Sequence, residues 1–373
     1  MKHAKLSASG SSRWLNCPGS VKAEEGYPFQ GSSEFAEEGS MAHELAEKCL
    51  FEELDAEDFL GKEVYKRIVQ HDMLAPVQEY VDYVRSYIGW NTDLLVETRV
   101  RFNSVVPNGF GTLDAAVVDR ENKVCHIFDL KYGKGVKVDA FENSQAMLYA
   151  IGMFPVLKDT GIDKFVIHIV QPRIYNFSSW EISVKDLKKF GLTVREKAEL
   201  ALSGHAPRVP GDKQCQWCRA KGDCKVLATY TEDLITSTFY NLDEVDPDTL
   251  TNEEKKAILD NKKLIESFVK AVEASVFTDL ELGKDFEGYK LVEGRSMRKW
   301  KVNAEEALVD QLGDEAYNKK IIGVGEAEKR LGKDFIDDLT IKPVGKTTLA
   351  PSSDKRKPIE NEAIEDQFEN IEK

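Results

Sequence analysis

Three stretches with the alternation and β-branching of strands follow one another between residues 94 and 132. They constrain the fold more than any other feature. LLVETRVRF spans 94–102, TLDAAVVD spans 112–119 and VCHIFDLKY spans 124–132. Each carries a strand pattern, and the links between them are short, with Gly109 and Gly111 in the first. Short links favour an antiparallel meander. A helix is expected next, through about residues 139–155, then a strand at FVIHIVQP (165–172), an edge strand at SSWEIS (178–183) and a helix over 184–204. The unit of helix plus strand after the meander reads as a crossover. The expectation is a mixed α/β fold with helical additions.

Upstream, residues 7–20 read as a short ordered lead-in and 21–36 as a loop. From Gly39, GSMAHELAEKCLFEEL reads as a helix with Ser40 as its cap. Met41, Leu45 and Cys49 line one face at four-residue spacing. His43 and Glu47 are also four apart and face the same way. A second amphipathic helix is expected over 74–89, after Pro76. Downstream, the sequence predicts a long helix over 251–277, a hairpin at 288–302, short helices over 303–336 and a polar tail from about 346. With 42% hydrophobic residues, the 373-residue chain can build a real core. No apolar run approaches bilayer-spanning length, and the first twenty residues do not read as a signal peptide. A cytoplasmic, non-membrane protein is the default. The net charge of −14 argues against a broadly basic nucleic-acid surface, although a local groove would suffice. The basic run 131-KYGKGVK-137 has two readings, the lining of such a groove or a solvated turn.

Chemistry concentrates in the meander. Asp129 and Lys131 are two apart on one strand and so share a face. Asp114 lies near the start of the preceding strand and approaches Asp129 if the two strands pair. Two close carboxylates suit Mg²⁺ or Mn²⁺. Such an ion polarises a phosphoryl oxygen and lowers the pKa of attacking water. Lys131 can orient that water or stabilise charge on the phosphate. His43 is a further candidate ligand, with Glu47 to orient it. Glu97 is a possible carboxylate or an ordinary member of an alternating strand. Gln145 and Tyr149, four apart on the helix after the meander, can present an amide and a phenol to the site.

Cys215, Cys218 and Cys224 crowd into ten residues of a chain with six cysteines. Three thiolates are one short of a four-cysteine site. Cys49 and Cys125 read as buried apolar residues. Cys17, in a segment with weak secondary-structure signal, is the candidate fourth ligand. Zinc and a [4Fe–4S] cluster both suit four thiolates, and spacing does not choose between them.

With these residues in view, the chain resembles the PD-(D/E)XK nuclease superfamily in its RecB-like branch, which includes the CRISPR adaptation nuclease and iron–sulfur helicase-nucleases. The G-x-x-x-H-x-x-x-E pattern falls on Gly39, His43 and Glu47, G-x-x-D on Gly111 and Asp114, D/E-x-K on Asp129 and Lys131, and Q-x-x-x-Y on Gln145 and Tyr149. The pattern of one early and three late cysteines falls on Cys17, Cys215, Cys218 and Cys224. The resemblance covers about residues 7–228 and implies a restriction-endonuclease-like core, here residues 1–228, closed by that cluster. Beyond its motifs, the pattern and composition read as a mostly helical accessory region over 229–345 and a polar tail over 346–373. It implies metal-dependent DNA cleavage with His43, Asp114 and Asp129 around the metal, Lys131 in catalysis, and Gln145, Tyr149 and Glu47 in support. It favours iron–sulfur over zinc. The layout is similar to phage- or prophage-encoded members, which implies an exonuclease acting on linear DNA ends in recombination or DNA processing, beside a single-strand annealing or recombination protein. The sequence contains no P-loop, so any unwinding falls to a partner. The alternative is a catalytically silent DNA-binding or assembly protein on the same fold.

Overall fold

The structure, a computed structural model, describes residues 4–27, 34–158, 160–236, 252–292 and 304–312, with 316–317, 323–324, 327 and 339–340. In chain order come α1 (Ser11–Asn16), α2 (Ser20–Ala23), α3 (Glu34–Glu52), a two-residue pair β1 (Glu63–Val64) and β2 (Arg67–Ile68), and α4 (His71–Arg85). The main sheet is built from β3 (Thr92–Arg101), β4 (Phe110–Asp119), β5 (Val124–Leu130), β6 (Lys164–Gln171) and β7 (Asn176–Ser183). Helix α5 (Ser144–Met153) joins β5 to β6, and α6 (Val184–Leu202) follows β7. Then come α7 (Asp212–Cys215), α8 (Lys225–Thr236), α9 (Asn252–Glu281) and α10 (Ala304–Leu312). Contacts divide the chain into two compact units, residues 1–292 and 293–373. The second contains α10, and everything described below belongs to the first.

The sheet order is β3-β4-β5-β6-β7. Strands β3, β4 and β5 form the expected antiparallel meander, β6 lies parallel to β5 across the α5 crossover, and β7 returns antiparallel at the edge. The mixed α/β class is therefore as the sequence indicates. Both faces are covered. Helices α1, α5 and α6 lie on one side, through Trp14, Leu148, Ile151, Leu187 and Val194. Helices α3 and α4 lie on the other, through Leu45, Cys49, Val77 and Val81. This double cover explains why β5 and β6 read as nearly continuous apolar runs. It also leaves a charged residue in β5, Asp129, deep in the structure with only 2% of its surface exposed.

Some boundaries differ from expectation. Helix α3 begins at Glu34, so Ser40 is interior and its hydroxyl donates to the Ala36 carbonyl at 3.0 Å. Glu34 and Glu37 in the first turn suit the positive end of the helix dipole, and this outweighs the local cap signal. Residues 20–26 form α2 and a 3₁₀ turn rather than a loop. Helix α4 starts before Pro76, which removes one backbone donor from a helix anchored by six buried side chains. No strand occurs at 288–292, and the rest of the expected hairpin lies outside the described residues, as do most of 303–336 and all of 346–373.

Candidate active site

The sheet register assembles the site. Ala115 pairs with Phe128, and the β4–β5 ladder ends there, so the next positions, Asp114 and Asp129, face one another. In β3, Val96 pairs with Ala115 and Thr98 with Leu113, which sets Glu97 opposite Asp114. Three carboxylates thus occupy successive places across three adjacent strands, about 4.8 Å apart. Like charges directly opposite one another destabilise a sheet, so the row needs compensation.

Compensation comes from several directions. His43, on α3, brings Nδ1 to 3.3 Å from Asp114 Oδ1. The Leu130 amide donates to Asp114 Oδ2 at 2.7 Å, just where the ladder has opened. Lys131 Nζ lies 2.7 Å from Asp129 Oδ2 and donates to Gln145 Oε1 at 3.2 Å. Gln145 Nε2 in turn donates to the Tyr149 hydroxyl at 3.1 Å. The Lys131 ammonium is the group that meets the buried Asp129 Oδ2.

Protonation follows from these contacts. Burial opposes charge on His43, but Asp114 outweighs it and holds the imidazole pKa above its ordinary value. Burial likewise works against the Asp114 carboxylate, which His43, Lys131 and the Leu130 amide nevertheless keep low. Asp129 is pushed up by burial and by Asp114, against the pull of Lys131. Lys131 is desolvated, yet Asp129 and Asp114 hold its pKa above the usual lysine value. Lys131 is therefore a committed cation in this state.

Two residues carry no motif signal, Glu97, which the sequence leaves between a site carboxylate and an ordinary strand position, and Tyr80. Glu97 adopts φ +42° in the middle of β3, a conformation disfavoured for a residue with a side chain. Donor atoms of His43, Glu97 and Asp114 lie within 4.8 Å of one another. Burial and the neighbouring Asp114 raise the Glu97 pKa to about 7, and Glu47 contributes in the same direction. Glu47 thus reaches the site through its charge. Tyr80 on α4 is the second. It is fully buried and its hydroxyl has no partner among the described residues. Its pKa is raised by burial, with the charges of Asp114, Asp129 and Glu97 adding to the shift. The Tyr80 hydroxyl is a buried polar atom left without a partner among the described residues, which fits a site that also holds bound water.

The glycines of the two motifs differ. A Cβ on Gly111 would come within 2.6 Å of the Tyr149 ring, so glycine is what lets Tyr149 approach β4. A Cβ on Gly39 would meet nothing within 4 Å.

The four cysteines converge elsewhere. Cys17, Cys215, Cys218 and Cys224 line one cavity together with Arg208, Val209 and Lys221. The Val209 amide donates to Cys17 Sγ at 3.2 Å, and Arg208 lies 3.9 Å from Cys224 Sγ. Gly19, two residues after Cys17, accepts the 206–207 backbone so closely that a Cβ would fall 2.6 Å from the Ala206 oxygen. All six cysteines are free thiols. Cys49 and Cys125 are fully buried, as their apolar settings indicate. Helix α9 closes the outside of the cysteine segment through Leu264 and Phe268, and Gly222 packs against the Ala271 carbonyl.

Fold and site together define a mixed α/β protein with a carboxylate-rich candidate metal centre at the broken edge of its meander. The chain belongs to the family described as "Protein of unknown function (DUF2800)", whose family model matches residues 3–357. It is also similar to a solved structure titled "Crystal structure of SSO0001", at 15% identity over 60% of this chain and 88% of that one, with a TM-score of 0.28. Among the described residues, no helix is long and apolar enough to cross a membrane.

Proposed function

We propose that this protein is a Mg²⁺- or Mn²⁺-dependent deoxyribonuclease with a PD-(D/E)XK-type, RecB-like centre, acting on linear DNA ends. The observation that carries the reading is the row Glu97–Asp114–Asp129 across three strands, met by His43 from α3 and Lys131 from the end of β5. The fold gathers the acids at a point where the ladder opens, at a cost in electrostatic repulsion that a structural role would not require.

His43, Asp114 and Glu97 would hold the ion, with Asp129 alongside. When bound, it polarises a phosphoryl oxygen and makes hydroxide available near neutral pH. Lys131, kept charged by Asp129 and Asp114 and aimed by Gln145, stabilises negative charge building on the phosphate. Tyr149 fixes Gln145. For the cysteine site, the reading is a [4Fe–4S] cluster with a structural role. Cys17, Cys215, Cys218 and Cys224, which line one cavity, would hold it, and four thiolates would equally suit zinc.

The test is cleavage of end-labelled linear and circular DNA, single- and double-stranded, by anaerobically purified protein with Mg²⁺ or Mn²⁺. Asp129→Ala and Lys131→Ala proteins serve as controls. The expected result is degradation of linear DNA by wild type and its loss in both variants, with circular DNA spared. Absence of cleavage on every substrate, with folded and cofactor-replete protein, would leave a DNA-binding or assembly protein instead.

A further inference from the structure

Lys131, Gln171 and Asn176 form a second row across the sheet, beside the carboxylates. The Lys131 amide donates to Val170 at 2.8 Å, and Gln171 pairs with Asn176 across the β6–β7 turn. Gln171 and Asn176 are buried polar residues, 1% and 8% exposed. Both spend their amides on the loop that follows Lys131. Gln171 accepts from the Val138 amide at 2.7 Å and donates to the Val136 carbonyl at 3.0 Å. Asn176 donates to the Val138 carbonyl and to Gln171, both at 2.7 Å. Ser178 accepts from the Ala140 amide and donates to Asp139, each at 3.0 Å. The loop is thus clamped to the sheet with Lys134 and Lys137 in solvent, while Asp139 is turned back to Ser178 and the Phe141 amide.

Tyr175 sits at the end of this clamp. Its backbone is left-handed, φ 52° and ψ 39°, which is costly for an aromatic residue. The strain serves no packing, since the side chain is 85% exposed. Among the described residues its ring touches no other ring and its hydroxyl has no partner. Glycine or asparagine would make the same turn more cheaply. By register, Tyr175 adjoins Asn176, two strand spacings or about 10 Å from Lys131.

We propose that Tyr175 is a stacking platform for a base of a single DNA strand, whose phosphates run along the clamped Lys134–Lys137 loop toward Lys131, with Gln171 and Asn176 as positioning residues. The inference rests on the nuclease reading and deepens it by naming a single strand as the substrate at the site mouth. Base–aromatic stacking tolerates any sequence, and a basic track supplies the remaining affinity.

The experiment is fluorescence anisotropy with a labelled 15-residue oligothymidylate, Ca²⁺ replacing Mg²⁺, on full-length protein. Tyr175→Ala is expected to weaken binding about tenfold, and Tyr175→Phe to stay within about twofold of wild type. Tyr175→Gly should lose binding while its unfolding temperature holds or rises, because the turn is relieved of strain. A merely structural tyrosine would give the opposite stability change. Lys134→Ala with Lys137→Ala should reduce the slope of log affinity against log salt by about one to two. Unchanged affinity in Tyr175→Ala, or wild-type binding to duplex but not to the oligothymidylate, overturns the inference. If wild type still cleaves DNA in an Asp129-dependent manner, the nuclease reading survives that result. If wild type neither cleaves nor binds, both fall.

Discussion

A glutamate at φ +42° inside a strand, opposite one aspartate and two strands from another, has little to offer stability. Glu97→Gln keeps the shape and removes the charge, so it separates a ligand from a structural residue. Without metal and above about pH 8, where a Glu97 carboxyl with its pKa raised to about 7 is ionised, the variant should be more stable than wild type by about 0.2–1 kcal/mol, because a like-charge pair across the ladder is relieved. With metal, the order should reverse, since a lost carboxylate donor weakens Mn²⁺ binding and the stabilisation that binding confers. Calorimetric titration with Mn²⁺ alongside urea unfolding measures both halves. A metal-free variant less stable than wild type would make Glu97 a structural residue. At this scale the sequence showed much of the site. Asp114, Asp129 and Lys131 stood out because an acid or lysine inside an apolar strand must be accounted for, and His43 because it faces the same way as its helix's motif residues. Glu97 had two readings, a possible site carboxylate or an ordinary member of the regular alternation in VETRV. Only the backbone reversal at that position, invisible in one dimension, turns it to the site. Tyr80 was hidden for another reason: its position on an amphipathic helix is what any core tyrosine would occupy, and the missing hydrogen-bond partner is a fact of three dimensions.

Among the elements, the N-terminal helices depend on a contact almost 190 residues away in sequence. Gly19 donates its amide to the Pro207 carbonyl at 3.0 Å, and two residues beyond Pro207, Val209 donates to Cys17. A methyl group at Gly19 would meet backbone, not a flexible side chain. Gly19→Ala should therefore push the 206–209 segment off α2 and open the cysteine cavity, at a cost of about 1–3 kcal/mol. The visible absorption expected of a cluster should bleach faster in air than in wild type, and hydrogen exchange should quicken over 11–23 and 206–224 while β4 and β5 stay protected. Protection unchanged over 11–23 would mean that the N-terminal helices are held by their packing on α5 and α6 alone. Elements were legible where one periodicity was clear. The meander, the crossover and the edge strand follow from pattern and link length. The start of α3 was displaced because Ser40 resembled a cap, whereas the acidic residues before it carry the helix one and a half turns further back. Pro76 misled in the same manner, since a single lost donor does not break a helix whose buried face is continuous across it.

For the molecule as a whole, a pH lever outside the site is a chain of imidazoles and phenols, half-buried apart from the buried His168, between α4 and the sheet. His168, 1% exposed, brings Nδ1 to 3.0 Å from the Tyr83 hydroxyl and Nε2 to 3.0 Å from His126 Nδ1. Tyr83 lies 3.3 Å from the Tyr87 hydroxyl. Burial, with His126 adding to it, lowers the His168 pKa from 6.5 to about 3. His126 is lowered by burial too, against the pull of Asp119. The unfolded chain takes up a proton on His168 as pH falls through 6.5, and the folded chain refuses it until about pH 3. Stability from this group is complete above pH 6.5 and is lost on acidification, at about 1.4 kcal/mol per pH unit. Between pH 6.5 and 5 the loss is about 2 kcal/mol, ahead of the range in which most carboxylates titrate. Urea unfolding at pH 7, 6 and 5 without divalent metal should show this slope. His168→Asn is expected to flatten it, even if the variant starts from lower stability at pH 7, because asparagine keeps polar atoms in the cavity but takes up no proton. An unchanged slope in that variant would mean that the folded chain accommodates a protonated His168 and that the acid sensitivity arises elsewhere. The two rings also explain why HIVQ in β6 reads as a plain buried strand: a neutral histidine whose two nitrogens both have partners behaves as an aromatic core residue. It stacks on Phe128 with ring centroids 4.5 Å apart, in the strand position next to Asp129. Acid unfolding would therefore loosen the same strand that carries the candidate site, and loss of activity below pH 6 should be separated from loss of fold by following both on one sample.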